Sequence, residues 1–184
     1  MNNTYCIHTG QLRAAQDRLQ AGDRVLLSGT IFTARDAAHK RLFALLDEGK
    51  ALPLPLKDTV LYYAGPTPAQ QDMAVGACGP TTASRMNAFA PRLLDLGLGA
   101  IIGKGQMSAE VSEALIRNRS CFFAAVGGAG ALIAKCIKRA DVIAFDDLGC
   151  ESIKRLTVEN LPLTVAIDCH GGNLYESGRT AYQN

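Results

Sequence analysis

The sequence predicts one α/β domain, residues 1–184, with a mixed and largely buried sheet. Short continuous apolar runs, such as 99–102 and 121–126, alternate with segments of helical period. This pattern is typical of strands covered on both faces by helices. Near the end of the chain, 153–158 and 163–168 have strand character with no long helix between them. The sheet is therefore expected to be mixed and not purely parallel.

The first half of the chain is expected to alternate strands with helices. The predicted strands are 5–9, 24–33 and 59–64, and the helical segments are 12–19 and 33–49. Gly29 inside the second strand indicates a bulge or a close backbone approach. Thr33 or Asp36 is expected to cap the second helix, and Gly49 to end it. Arg35 lies at the junction of strand and helix, where the helix dipole disfavours a cation, so a nearby anion would explain its position.

The segment Cys78-Gly79-Pro80-Thr81-Thr82-Ala83-Ser84-Arg85-Met86 is predicted to be a tight turn that leads into a helix ending near residue 90. Pro80 suits a first helical turn, and Thr81 and Thr82 can cap it. Arg85 follows Thr81 by four positions, so the two would share a helix face. Such a helix start binds carboxylate or phosphate. A capped helix with a solvated arginine explains this segment, taken alone, equally well.

The second half continues the alternation. Pro91 breaks the preceding helix or begins a short one through Leu96. The following predictions are a strand 99–102, a helix 108–118, a strand 121–126, a helix 131–139, a strand 142–145, a turn or short helix 148–152, the two late strands and a frayed tail 176–184. Lys104 lies in a glycine-rich turn directly after the strand 99–102.

Composition excludes several classes of protein. The formal charge of +2 is scattered, and only 6% of residues are aromatic, so a nucleic-acid surface has little support. Residues 1–10 do not resemble a signal peptide, and no apolar run approaches the roughly 20 residues of a membrane span, so we expect a cytoplasmic protein. The six cysteines form no C-x-x-C pair. They are expected to be free thiols, and we expect no metal bound by this chain alone.

Nucleotide-binding motifs fail at specific positions. Gly128-Ala129-Gly130 would need a third glycine where Ile133 stands. A phosphate loop ending at Lys104 would need glycine at Leu98 and a hydroxyl at Gly105. A nucleotide-dependent enzyme therefore remains a minor alternative. Cys78 has no histidine base nearby in sequence and is predicted to be a buried thiol, and His39 a structural histidine.

Four residues near strand ends and glycine-rich turns remain as candidates for a site: Arg35, Thr81, Arg85 and Lys104. Three cations from separate junctions would suit a ligand with two carboxylates, because arginine binds a carboxylate through two parallel hydrogen bonds and lysine adds a point charge. A small-anion-binding domain without catalysis fits the same four residues.

Four sequence blocks carry a family resemblance, which spans about residues 23–173. The blocks are Ser28-Gly29-Thr30 with Thr33 to His39, Gly79-Pro80-Thr81-Thr82 with Arg85-Met86, Ile102-Gly103-Lys104-Gly105, and Asp147-Leu148-Gly149 with Glu151. In this order they resemble the beta subunit, or C-terminal domain, of the iron–sulfur hydro-lyases, class I fumarate hydratase and L-tartrate dehydratase. This family hydrates or dehydrates a C4 dicarboxylate, either fumarate and malate or L-tartrate and oxaloacetate.

The resemblance implies a swivelling β/β/α domain that closes over an alpha subunit bearing a 4Fe–4S cluster, in an αβ or α2β2 assembly. It implies that Arg35, Arg85 and Lys104 bind substrate carboxylates and that Thr81 is the general base. A threonine hydroxyl is a weak acid, so that role needs its alkoxide stabilised by neighbouring cations and a helix N-terminus. The segment Asp146–Glu151 is interpreted as structural. The resemblance does not choose among fumarate, L-tartrate and mesaconate as substrate.

Overall fold

A computed structural model describes residues 3–69 and 72–180. Their strands form one mixed sheet. The strands are β1 (Thr4–His8), β2 (Arg24–Thr33), β3 (Val60–Tyr62), β4 (Ala100–Gly103), β5 (Cys121–Ala124), β6 (Ile137–Ala144) and β7 (Ile153–Ile167). The α-helices are α1 (Thr9–Ala15), α2 (Asp36–Asp47), α3 (Ala90–Asp95), α4 (Ala109–Arg117), α5 (Gly130–Cys136) and α6 (Leu174–Thr180). Short 3₁₀ helices span Gln16–Arg18, Ala83–Met86 and Asp146–Glu151.

Strand β7 closes the sheet on itself. The strand order is β1-β2-β3-β4-β5-β7-β6, with β7 also paired to β2. Strands β2, β3, β4 and β5 run parallel to one another, and β7 is antiparallel to both β2 and β5. The five strands β2, β3, β4, β5 and β7 therefore form a hydrogen-bonded circuit. The predicted mixed α/β sheet is confirmed.

The central strands bury both faces, so the protein has two hydrophobic cores. On β3, Val60 and Tyr62 belong to one core, whereas Leu61 and the following Tyr63 belong to the other. This alternation follows from the two-residue period of a strand. Helices α1 and α5 contribute to the first core, and α2, α3 and α4 contribute to the second.

Most predicted elements are present, with shifts at their ends. Gly29 has a φ of 116° at a register shift between β2 and β7, which confirms the predicted irregularity. The capping prediction for α2 is wrong: its N-cap is Arg35, and neither Thr33 nor Asp36 caps the helix with its side chain. Thr33 Oγ1 instead accepts a hydrogen bond from Lys154 N at 3.0 Å, because β7 lies beside β2.

Three predictions for the C-terminal part are corrected. The helix expected over 131–139 ends at Cys136, because the following residues pair with β7 as strand β6. The two strands expected over 153–158 and 163–168 are one continuous strand, β7. The tail is not frayed throughout, since Glu176 lies in α6; residues 181–184 lie outside the described part of the chain.

The helix predicted from Pro80 to residue 90 is also wrong. Residues Pro80 and Thr82 each make an isolated strand bridge, to Ala64 and Lys104 respectively. Only Ala83–Met86 is helical, as a short 3₁₀ turn, before α3 begins. Thr81 is therefore not in a helix, and the predicted helix dipole at this segment does not exist.

In the part of the chain that the structure describes, no helix combines the length and apolar character required to cross a membrane.

Candidate active site

Thr81 is held by its backbone between the ends of β3 and β4. Its N–H donates to Tyr63 O at 2.6 Å, and its carbonyl accepts from Lys104 N at 3.3 Å. Its Oγ1, in contrast, makes no hydrogen bond to any described residue. The local backbone is extended because the ends of both neighbouring strands supply hydrogen-bond partners for it, and a helical backbone would lose these bonds. The backbone of the half-buried Thr81 is thus fixed by both strand ends, and its hydroxyl has no partner among the described residues.

Lys104 follows directly after β4 and points its ammonium at the same segment. Its Nζ donates to Thr82 Oγ1 at 2.6 Å. Gly127, in the loop after β5, leaves space for its methylene chain: a Cβ added there would lie 3.3 Å from Lys104 Cδ. The structure therefore brings Lys104 next to Thr82, the immediate neighbour of Thr81. From the sequence, Thr82 was expected only to cap a helix.

Arg35 and Arg85 share one carboxylate. Asp36 Oδ1 accepts from Arg85 Nε at 2.8 Å, and Asp36 Oδ2 accepts from Arg35 Nε at 3.3 Å. Burial raises the pKa of Asp36, but its own backbone N–H and the two arginines outweigh that effect and hold the pKa below its usual value. The two arginines, 50 positions apart in the sequence, therefore meet around an ionised Asp36.

Glu151 is a second acidic partner of Arg35. Its Oε1 lies 3.5 Å from an Arg35 terminal nitrogen, and its Oε2 accepts from Ala37 N in the first turn of α2 at 2.9 Å. Gly65, after β3, lets the Arg35 side chain approach the backbone, since a Cβ there would lie 3.1 Å from Arg35 Cδ. The interpretation of Glu151 as structural was incomplete, because this residue also contacts a candidate site cation.

His39 lies beneath Arg35 and is fully buried. Its Nδ1 is 2.9 Å from Arg35 O, and since a carbonyl only accepts, Nδ1 carries the proton. Its Nε2 and the Tyr63 hydroxyl are both buried without a hydrogen-bond partner among the described residues, with the two rings edge to face at 5.3 Å. His39 therefore fixes the backbone of Arg35 while remaining neutral, which agrees with the predicted structural role.

We expect His39 to make the protein less stable in acid. Burial lowers the pKa of His39 from 6.5 to about 4. Between these two pH values the unfolded chain binds a proton that the folded chain does not. The free energy of unfolding therefore keeps its full value above pH 6.5 and is lower by about 3 kcal/mol at pH 4. Urea unfolding at several pH values measures this loss. His39→Gln should lose that part of the pH dependence, whereas His170→Gln, at an exposed histidine, should keep it; equal slopes in all three proteins would contradict the assignment.

The structure brings all four predicted site residues to the carboxyl ends of β2, β3 and β4. Asp36 joins Arg35 and Arg85, and Arg85 is close in sequence to Thr81 and Thr82. The Thr81 carbonyl accepts a hydrogen bond from the Lys104 backbone, and the Thr82 hydroxyl accepts one from the Lys104 ammonium. Sequence reasoning missed the site contacts of three polar residues, namely Asp36, Thr82 and Glu151. Adjacency to Arg35 and Thr81 was an available signal for the first two. Glu151 is distant in sequence from the other site residues, and although it belongs to the fourth block of the resemblance, it was interpreted as structural.

The described residues do not fit an iron–sulfur cluster. No group of three His, Cys, Asp or Glu side chains among residues 3–69 and 72–180 could hold a metal ion. Cys78, which precedes Thr81 by three positions, is buried. Burial raises the pKa of its thiol to about 12, although the charge of Lys154 acts in the opposite direction. It therefore stays a protonated thiol, as the sequence predicted, whereas cluster ligands are thiolates. All six cysteines are free.

The family model described as "Fumarase C-terminus" matches residues 4–178. Fumarate hydratase 2 of Leishmania major is 34% identical over 167 residues, which are 90% of this chain and 29% of that protein. The aerobic class I fumarate hydratase of Salmonella typhimurium is 35% identical over 155 residues, covering 83% of this chain and 27% of that protein.

A relative of similar length also exists. A Methanocaldococcus jannaschii protein with the provisional name L(+)-tartrate dehydratase subunit beta is 38% identical over 165 residues, covering 86% of this chain and 85% of that protein. This chain thus spans less than a third of the two fumarate hydratases and most of the subunit-sized relative.

Proposed function

This chain belongs to the fumarase C-terminus family, whose named relatives are hydro-lyases, and on that premise we propose that it is the beta subunit of a two-subunit enzyme. The proposed enzyme adds water to a C4 dicarboxylate or removes it, acting on either fumarate and malate or L-tartrate and oxaloacetate. We assign a 4Fe–4S cluster to its alpha subunit, because the described residues of this chain include no set of ligands that fits one. The chain alone is therefore inactive in hydration.

One observation carries the proposal: three cations from separate segments lie at the ends of β2, β3 and β4, together with a threonine whose hydroxyl has no hydrogen-bond partner among the described residues. Arg35 and Arg85 lie on either side of Asp36, and Lys104 contacts the neighbour of Thr81. We assign the two guanidiniums and the ammonium to the substrate carboxylates, because arginine forks match carboxylate geometry and lysine adds a compact charge. A substrate with two carboxylates uses this set more fully than a monocarboxylate does.

We assign Thr81 as the general base that removes a proton from carbon during dehydration. Its hydroxyl must first lose its own proton, which is unfavourable near neutral pH. The helix N-terminus expected to help is absent, so the alkoxide depends on nearby cations alone, and Lys104 is the best placed of them through its contact with Thr82. Fixed charges in a partly desolvated site stabilise such an anion more than water does.

We further propose that residues 1–184 move as one swivelling domain over the alpha subunit, in an αβ or α2β2 assembly. Two features support this. The closed strand circuit gives the chain a framework of its own, and the candidate site lies at one edge of that framework, where an additional subunit can cover it. The much greater length of the fumarate hydratase relatives leaves room in those chains for such a partner region.

The proposal is tested by reconstitution. The full chain should co-purify with its cognate alpha subunit, and the pair should be assayed without oxygen against fumarate, malate, L-tartrate and mesaconate. We expect turnover of at least one substrate by the pair and none by either subunit alone. A cluster-loaded pair that turns over none of the four, while still binding dicarboxylates, would overturn the hydro-lyase assignment and support an anion-binding domain instead.

A further inference from the structure

Asp36 stands at the centre of the cationic site and uses both of its oxygens. Arg85 Nε binds one oxygen at 2.8 Å, and Arg35 Nε approaches the other at 3.3 Å. The side chain of Asp36 is 26% exposed and that of Arg35 is 23% exposed. This arrangement differs from the ordinary surface ion pair between Asp47 and Arg92, at the other end of α2, where the carboxylate is 64% exposed.

Both contacts use the Nε atom of the arginine. In a planar guanidinium the Nε–H and one terminal N–H point the same way, and the two terminal nitrogens form a second pair of donors at the end of the side chain. A contact through Nε therefore restrains the guanidinium and leaves that terminal pair available. Within the described part of the chain, the terminal nitrogens of Arg85 make no hydrogen bond, and those of Arg35 have the longer contact to Glu151 at 3.5 Å. One carboxylate thus holds two guanidiniums at their inner edges and leaves their outer edges for a ligand.

We propose that Asp36 is a positioning residue that aligns Arg35 and Arg85 for a doubly charged carboxylate ligand. This inference rests on the proposed function for the identity of the ligand. It predicts a change in ligand affinity that is opposite to the change expected from net charge alone. Removing a negative charge from an anion site should strengthen anion binding if charge alone mattered. If Asp36 aligns the arginines, removing its charge weakens binding, because the two guanidiniums must be ordered when the ligand arrives.

The test measures succinate binding by calorimetry to the complex of the full chain with its alpha subunit. Asp36→Asn should weaken succinate binding at least about tenfold and leave butyrate, a monocarboxylate, much less affected. Asp47→Asn is the matched control on the same helix and should bind succinate as the unsubstituted protein does. Equal or tighter succinate binding by Asp36→Asn would overturn the inference.

A second readout needs neither activity nor a variant. In the nuclear magnetic resonance spectrum of the full chain, the Nε–H signals of Arg35 and Arg85 should exchange slowly with water, unlike those of exposed arginines. Fast exchange of both signals would overturn the inference even if Asp36→Asn failed to fold. Succinate binding that depends on Asp36 in a complex without turnover would contradict the proposed function alone. Turnover together with Asp36-independent binding would contradict the inference alone.

Discussion

Thr81→Val is expected to reduce the kcat of the reconstituted enzyme by roughly a hundredfold or more, with little change in substrate affinity. General-base catalysis contributes about 10²- to 10⁴-fold to the rate, and valine has no proton-accepting atom. The side chains have similar shape, and the Thr81 hydroxyl makes no hydrogen bond to a described residue that the substitution would break. Its backbone bonds to Tyr63 and Lys104 remain available. Folding should therefore be retained.

The measurement compares steady-state kinetics of Thr81→Val with two matched variants. Thr157→Val, at an exposed position on β7, should behave as the unsubstituted protein does. Thr82→Val removes the hydroxyl that Lys104 contacts at 2.6 Å and should cause a smaller loss. Near-normal turnover by Thr81→Val would refute the assignment. A larger loss in Thr82→Val than in Thr81→Val would move the base to the neighbouring threonine.

Lys104→Met is expected to lower kcat/KM by roughly 10²- to 10³-fold, the cost of removing one strong donor from a preorganised anion site. Methionine preserves most of the side-chain length, so the packing against Gly127 should be maintained. The loss should appear in both terms: KM rises because a carboxylate contact is lost, and kcat falls because the ammonium stabilises the Thr81 alkoxide. Kinetics of the cluster-loaded pair separate the two.

Two comparisons make this prediction specific. Lys57→Met changes an exposed lysine before β3, at the opposite end of the parallel strands, and should leave the kinetics unchanged. If Lys104 and Thr81 act as a unit in the chemical step, the kcat of the double variant should be little below that of Thr81→Val alone, because effects within a catalytic unit are strongly non-additive. Fully additive losses would mean that Lys104 binds substrate without assisting the base.

Local patterns in the sequence were sufficient to predict strands β1 to β5. The apolar run of β5 was identifiable because a strand buried on both faces must be apolar at successive positions, and β2 because it is rich in β-branched and aromatic residues. The ends of elements were less predictable. Helix α5 ends at Cys136 because the next residues pair with β7, a partner distant in sequence that no local propensity reveals.

The residues of the candidate site also differ in how far they could be predicted from the sequence. Arg35, Thr81, Arg85 and Lys104 could be selected from sequence because each is a charged or hydroxyl residue at the end of a strand or in a glycine-rich turn. The roles of Asp36 and Glu151 could not, since carboxylates at a helix start and in a surface turn have ordinary local explanations. Glu151 meets Arg35 because α2 packs near the Asp146–Glu151 turn, and Asp36 meets Arg85 because α2 also packs near Ala83–Met86.

By itself, therefore, the sequence determined the mixed α/β class, the family and the four residues proposed to act on a dicarboxylate. Only the tertiary structure decided the conformation of the segment around Thr81. Its residues have the composition of a capped helix, but the ends of β3 and β4 offer Thr81 backbone partners, and those hydrogen bonds hold Pro80–Thr82 extended. The parallel pairing of β3 and β4 also brings Lys104 to Thr82, because parallel strands end at one edge and place the residues that follow them side by side.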